Sequence, residues 1–422
     1  MKKRVLVRGP ALSRSGYGEH VRFLLRSLRP HEHLYDLYLL NVQWGATGNL
    51  TDETEERRWI ETLALKGAQY VQQKGHFDLS IQVTIPNEWE KIAPVNVGVT
   101  AGIETSKVAP EWLSRGNLMD KIITISEHSK NVYETTSYQA QNEATGEVVE
   151  NYRCETPIEI VHYPVREYEP EEIAGLELDF DFNYLTVAQW GPRKNLDNTI
   201  QWFLQEFQND EVGLVVKTNI AKDCLRDRFI CEAKLTAMVA SLPDRKCKIY
   251  LLHGDLKPSQ MTWLYRHDQI KSLISLTHGE GFGLPIFEAA YNGLPIIAPL
   301  WSGHVDFLSA PNKKGKMRPM IAKVAYSLET VDPGAVWPGV IQEDSMWCSA
   351  HERDYKRQLR EVYKNYGRFK SNAQRLQKHV LEEFASEKQH EIFAEETLGC
   401  LGKLETSEDW LAEIEDIIKE YE

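Results

Sequence analysis

The sequence predicts an α/β protein of two doubly wound, Rossmann-like domains facing one another across a cleft. Three observations carry that expectation. The chain has 422 residues, long for one hydrophobic core and suited to two. Short apolar runs alternate with helix-length polar segments, the pattern of a parallel sheet with helices on both faces. That alternation occurs twice, broken near Tyr163–Glu172.

In chain order, Arg4-Val5-Leu6-Val7 reads as a first buried strand. Arg8-Gly9-Pro10 ends it, Ser13, Ser15, Gly16 and Gly18 form a loop, and Val21–Leu28 reads as an amphipathic helix. Strand, flexible loop and helix open a Rossmann-type unit. Further strands are expected at Leu37–Val42, Leu79–Val83, Val95–Val99 and Ile122–Ile125. Tyr163-Pro164-Val165 and the acids Glu167, Glu169, Glu171 and Glu172 read as an exposed connector. A second series of strands follows at Asn183–Ala188, Gly213–Val216, Lys248–Leu252, Ser272–Leu276 and Pro295–Ala298, and helices from Asp354 onward. The expected division is residues 1–165 and 173–387, with helices about 388–422 packing back on the first domain.

Hydrophobic residues make up 42% and charged ones 26%, as in soluble globular proteins. No run approaches the roughly 20 apolar residues that span a bilayer. The basic start Met1-Lys2-Lys3-Arg4 leads into too short an apolar stretch for a signal peptide, so a cytoplasmic location is expected. Without export the sequon Asn49-Leu50-Thr51 carries no meaning. Six cysteines without a CxxC pair suggest reduced thiols. The net charge of −13 argues against a globally basic nucleic-acid binder. Residues 1–30 are nevertheless rich in lysine and arginine, and the tail Glu405–Glu422 is acidic, so a local positive face is expected.

The most informative segment runs from Ser275 to Ala290. A strand ends, the glycine-rich turn Gly279-Glu280-Gly281-Phe282-Gly283 follows, and a helix begins near Leu284 or Pro285, where proline suits the first turn. Free N–H groups at Phe282, Gly283 and Leu284, with the helix dipole, favour an anion such as a diphosphate. Glu280 and Glu288, seven residues between them, flank that turn, and carboxylates suit sugar hydroxyls as bidentate acceptors.

This string resembles the E-x7-E signature of retaining glycosyltransferases with the GT-B fold. The resemblance implies that Glu280 contacts a donor sugar and Glu288 the ribose hydroxyls. The segment Val187-Ala188-Gln189-Trp190-Gly191-Pro192-Arg193-Lys194-Asn195 resembles the family's basic loop, which implies that Arg193 and Lys194 stabilise the donor diphosphate. Gln189 stands where many members carry arginine. Lys217 is a second candidate phosphate ligand, and His278 sits where the sugar is expected. Ser15-Gly16-Tyr17-Gly18-Glu19-His20 resembles the glycine loop of the first domain; Gly16, Tyr17 and Gly18 are expected at the donor and His20 on the acceptor side. Gly102-Ile103-Glu104-Thr105 and Ser126-Glu127-His128-Ser129 resemble acceptor-side segments, which nominates Glu104 and Ser126. Ser302–Asp306 adds His304 or Asp306.

Asp179-Phe180-Asp181 mimics a DxD metal motif, but it precedes its strand and reads as linker acid. His31-Glu32-His33 lacks a third ligand. The resemblance implies hexosyl or pentosyl transfer from a nucleotide-sugar co-substrate, with no essential cofactor and no metal. Arg8-Gly9-Pro10-Ala11-Leu12 and Gly102–Thr105 look most like bacteriophage-encoded members. That likeness makes a hydroxymethylated pyrimidine in duplex DNA the leading acceptor, met through the basic N-terminal region and Lys313, Lys314, Lys316 and Arg318. A cell-surface glycan or lipid-linked sugar, and a small molecule, stay open as acceptors. A pyridoxal-dependent sugar phosphorylase and a sugar-binding non-enzyme are the readings outside this class.

Overall fold

The computed structural model describes residues 2–45, 47–141, 146, 148–312 and 314–402. The acidic tail Glu405–Glu422, the end of the expected terminal helices and Lys313 lie outside the described residues.

The first half contains strands β1 (Lys3–Gly9), β2 (Tyr35–Asn41), β3 (Leu79–Val83), β4 (Val95–Val99), β5 (Lys121–Thr124), β6 (Tyr138–Gln141), β7 (Val148–Tyr152) and β8 (Ile158–Ile160). Its helices are α1 (Gly16–Leu28), α2 (Glu55–Gln72), α3 (Pro110–Gly116) and α4 (Glu127–Thr135). The second half has β9 (Asn183–Val187), β10 (Gly213–Lys217), β11 (Lys248–Leu252), β12 (Ile270–Ile274), β13 (Ile296–Pro299), β14 (Ser309–Pro311), β15 (Met317–Pro319), β16 (Ala322–Val324), β17 (Tyr326–Thr330) and β18 (Met346–Ala350). Helices α5 (Leu196–Glu206), α6 (Leu225–Ala240), α7 (Pro258–Arg266), α8 (Leu284–Tyr291), α9 (Glu352–Lys364), α10 (Tyr366–Glu383) and α11 (Ser386–Leu398) complete it.

Two six-stranded sheets result, ordered β2-β1-β3-β4-β5-β8 and β11-β10-β9-β12-β13-β16. Every pairing within both is parallel. The central strand β3 is buried along its whole length, and its two polar residues are satisfied inside, Ser80 Oγ donating to Asn96 Oδ1 and Gln82 Nε2 to the Glu90 carbonyl. In each sheet the strand order reverses beside the first strand, between β1 and β3 and between β9 and β12. Such switch points open a crevice at the carboxyl ends of the strands, where ligands bind in doubly wound sheets. The loops after β9 and β12 carry Arg193-Lys194 and Glu280, so the second switch point gathers them.

Two expectations need correcting. β12 covers Ile270–Ile274, two residues earlier than the apolar run suggested, so Ser275 and Leu276 already belong to the turn. The connector is not exposed at its start: Tyr163 and Val165 are buried, and the Val165 N–H donates to the Phe384 carbonyl. Tyr163 packs its ring on Phe282 of the glycine turn, which gives the chain a reason to hide there. Beyond α10, helix α11 lies on α1, with Phe393 against Phe23 and His390 bonded to Ser27 Oγ at 2.8 Å.

Candidate active site

Glu280 is the centre of the second switch point. It is 8% exposed, and its N–H donates to Ser302 Oγ. Lys194 Nζ lies 2.6 and 2.8 Å from its two oxygens, and Arg193 Nη1 donates to Oε2 at 3.2 Å. A 3-10 turn at Pro192–Lys194 followed by Asn195 in the left-handed region (φ 52°) aims that basic pair back at the sheet edge. Asparagine is among the few non-glycine residues that tolerate such a backbone. Burial would raise the Glu280 pKa, but Lys194 and Arg193 outweigh it and hold the carboxyl at about 2. Arg193 also donates to the Gly279 carbonyl and pairs across the cleft with Glu104 at 3.1 Å. Its guanidinium therefore ties the two halves together.

The halves meet backbone to backbone here. A Cβ on Gly279 would stand 2.0 Å from the Glu104 carbonyl oxygen, and one on Gly281 would stand 1.9 Å from that of Ala101. Gly283 (φ 92°) supplies the left-handed entry to α8. Phe282 contributes only backbone to any ligand, because its side chain is buried among Tyr163, Phe287 and Phe307. Asp306 bridges the halves a second time, accepting from the Glu127 N–H at 2.9 Å and facing His162 Nε2 at 3.0 Å.

Beside α8 a cavity of about 870 Å³ opens between the halves, lined among others by Gly16, Arg166, Tyr265, Leu284 and Glu288. Gly16 has open space around its Cα, so a ligand can approach that backbone. Burial raises the Glu288 pKa to about 7, against the partly compensating bond from Tyr265 Oη at 2.8 Å. Relative to an unfolded carboxyl near 4.5, a raised native pKa costs stability as pH climbs from about 4.5 to 7. The cost is at most about 3 kcal/mol, and less because the cavity admits water. Glu288→Gln is expected to raise the melting temperature at pH 8 and leave it unmoved at pH 4.5. Equal shifts at both pH values would contradict this.

Several nominated residues are placed elsewhere. His20 is fully buried between the rings of Tyr163 and Phe393, with neither ring nitrogen bonded, and burial lowers its pKa to about 3. It is a neutral core residue and not a lining group of the acceptor side. Ser126 is buried as the N-cap of α4, its Oγ accepting from the Ser129 N–H. Gly18 is required by packing, since a Cβ there would meet the Ser13 carbonyl at 2.0 Å. Tyr17 bonds Thr100 Oγ1 at 3.0 Å and stacks near Trp44. Lys217 donates to the Gly254 carbonyl, steadying the loop that leads to Asp255–Lys257 in the cavity wall. Gln189 bonds the Ile220 carbonyl and His304 that of Pro299. His278 stacks on Trp347 at 4.2 Å, turned to a different cavity.

The expected positive face of residues 1–30 is largely neutralised. Arg22 and Arg26 pair with Glu19, Arg26 also with Glu56, Arg29 with Glu55, Lys3 with Asp78, and Arg14 with Asp52 and Asp255. Asp179 pairs with Lys248, as a linker acid would. Among the described residues, Asp227, Cys231 and His253 bring ligand atoms within 4.8 Å of one another. The Asp227 carboxylate there already accepts from the N–H groups of Ile220, Ala221 and Lys222 and from His253. That arrangement folds the loop after β10.

Sequence reasoning missed Tyr265, Ser302, Arg166 and the clasp between Arg14 and Asp255. Only Ser302 carries a local signature, a strained backbone at φ 73°, and that is invisible without coordinates.

No protein-family model matches the sequence, and no curated protein does. Solved structures do match. Anabaena HepE, solved in complex with UDP-glucose, is 12% identical over 93% of this chain and 98% of its own, with a TM-score of 0.57. Sucrose-phosphate synthase from Thermosynechococcus elongatus is 13% identical over 92% and 96%, TM-score 0.59. A UDP-forming trehalose-phosphate synthase from Burkholderia xenovorans is 11% identical over 94% and 99%, TM-score 0.58. Likeness over nearly the full length of each, at such low identity, shows a shared architecture: the chain has the GT-B fold.

Proposed function

We propose that the chain is a retaining glycosyltransferase moving a hexosyl or pentosyl group from a UDP- or GDP-linked donor to an acceptor hydroxyl. The observation that carries this reading is the convergence of Lys194 and Arg193 on Glu280, whose side chain lies beside Gly283 at the start of α8. The HepE complex with UDP-glucose supports a UDP-linked donor. Residues 173–387 hold the donor and residues 1–165 face the acceptor. The diphosphate lies at the α8 start and draws Lys194 away from Glu280, which turns to the sugar hydroxyls. Glu288, beside Gly16 and Tyr265, takes the ribose.

The bond from the sugar C1 to the diphosphate oxygen breaks while the acceptor oxygen bonds C1 from the same face. The departing diphosphate oxygen accepts the acceptor's proton. Lys194 and the helix dipole meet the charge that develops on the leaving group, as preorganised electrostatics do. With those charges in place, no metal is required.

A hydroxymethylated pyrimidine in phage DNA, within a host cytoplasm, is the leading acceptor reading, with a cell-surface glycan or lipid-linked sugar as the alternative. Its support is the exposed hairpin β14–β15, which presents Lys314, Lys316 and Arg318. A panel of UDP- and GDP-sugars, offered with hydroxymethylated DNA or with glycans, tests both readings. We expect turnover of at least one donor with its anomeric configuration kept in the product, read by NMR. Inversion would refute the retaining assignment, and no turnover or binding of any donor would refute the whole.

A further inference from the structure

Asp227 and Cys231 stand one turn apart on α6, so their side chains leave the same face of the helix. His253, the residue after β11, meets them there. Its Nε2 lies 3.0 Å from Asp227 Oδ1, and Cys231 Sγ lies 3.7 Å from the same oxygen. The three ligand-type atoms all fall within 4.8 Å of one another. Asp227 and Cys231 are buried, and the His253 side chain is 4% exposed. None of the three lines the cavity beside α8.

The Asp227 carboxylate faces more donors than it can satisfy. Its Oδ2 accepts from the N–H groups of Ala221 and Lys222. Its Oδ1 accepts from the Ile220 N–H at 2.8 Å and also faces His253 Nε2 and the Cys231 thiol. A carboxylate offers about four acceptor positions, and these donors number one more. If His253 Nε2 bears no proton, its lone pair instead confronts the carboxylate oxygen. One cation in place of the two side-chain protons removes either conflict, taking one lone pair of Oδ1 and leaving the other to Ile220.

We infer that Asp227, Cys231 and His253 hold a divalent cation of the zinc type, remote from the transfer site and independent of the transferase reading. One sulfur, one imidazole nitrogen and one carboxylate oxygen form a donor set suited to zinc. Ligands of a tetrahedral zinc stand roughly 3.3–3.7 Å apart, close to the separations found at Oδ1. Binding releases the thiol proton to solvent. Thiolate and carboxylate then balance the cation, so the buried cluster carries no net charge. Water takes the fourth position. The three backbone N–H groups fix the carboxylate, as the outer shell of a metal site does. The Ile220 carbonyl accepts from Gln189 Nε2 at 2.6 Å, and the Asn219 carbonyl from the Trp190 N–H at 2.7 Å. The cation therefore also steadies the loop that leads to Arg193 and Lys194.

Cobalt(II), which stands in for zinc and absorbs strongly when a thiolate binds it, tests this on the full chain after chelator treatment and dialysis. The expected result is about one cobalt per chain, with a thiolate-to-cobalt charge-transfer band that added zinc bleaches. Cys231→Ser is expected to abolish the band, and His253→Gln to weaken cobalt binding about tenfold or more. Cys224→Ser, at an exposed cysteine just before α6, is expected to leave the band intact. Zinc is expected to raise the melting temperature of the wild type and not that of Cys231→Ser. A wild type without bound cobalt or without the band would overturn the inference, as would a band that survives Cys231→Ser or disappears with Cys224→Ser. Should Cys231→Ser fail to fold, the wild-type titration and His253→Gln decide, and unchanged affinity in His253→Gln would refute the site.

Discussion

Glu280→Gln is expected to lower donor turnover by about 10³-fold, the scale of losing a group aimed at the reacting centre. The substitution keeps the shape but removes the charge that orders Lys194 and Arg193, and sets an amide donor where a carboxylate oxygen accepted from them. It also costs stability. The Glu280 pKa of about 2 lies below an unfolded value near 4.5. The stabilisation, about 3 kcal/mol, is present above pH 4.5 and is lost as pH falls toward 2. The variant should therefore melt lower than the wild type at pH 7, with the gap shrinking toward pH 3. Lys194→Gln added to Glu280→Gln should cost less than the sum of the two, because the pair acts as a unit. Near-wild-type turnover, or an additive double variant, would contradict the arrangement.

The second large effect is expected at Gly281, a position that offers no functional group at all. A methyl there would stand 1.9 Å from the Ala101 carbonyl oxygen, so the halves must part by about 1 Å, a misplacement that costs about 10²-fold in rate. Gly281→Ala is expected to slow turnover by that order while UDP still binds to the second half. The parallel change Gly279→Ala, against the Glu104 carbonyl, should act the same way. Wild-type rates in both would mean that the closed contact is not the reactive one.

What the sequence disclosed follows from periodicity and local chemistry. Strands β3 and β4 announce themselves by apolar residues at every second position and β11 by the run Ile249–Leu252, and their predicted bounds agree with the structure. The turn from Gly279 to Gly283 is a local signal, and Glu280, Lys194 and Arg193 do converge there. Cross-cleft relations were not legible. Gly281 reads as a phosphate-approach glycine, yet its nearest constraint is a carbonyl 180 positions earlier in the chain. His20 has the same limitation, since its burial depends on Phe393 from α11. Strands β17 and β18 were missed because neither alternates cleanly between apolar and polar residues and β17 is exposed over its second half.

The central claim is that a nucleotide-sugar sits with its diphosphate at the start of α8, between Lys194 and the glycine turn. A crystal structure with UDP-glucose or UDP bound measures that directly. The predicted result is phosphate oxygens within hydrogen-bond reach of Lys194 Nζ and the N–H groups at Phe282–Leu284, with Glu288 on the ribose. Nucleotide density elsewhere on the chain, or none at a saturating concentration, would contradict it.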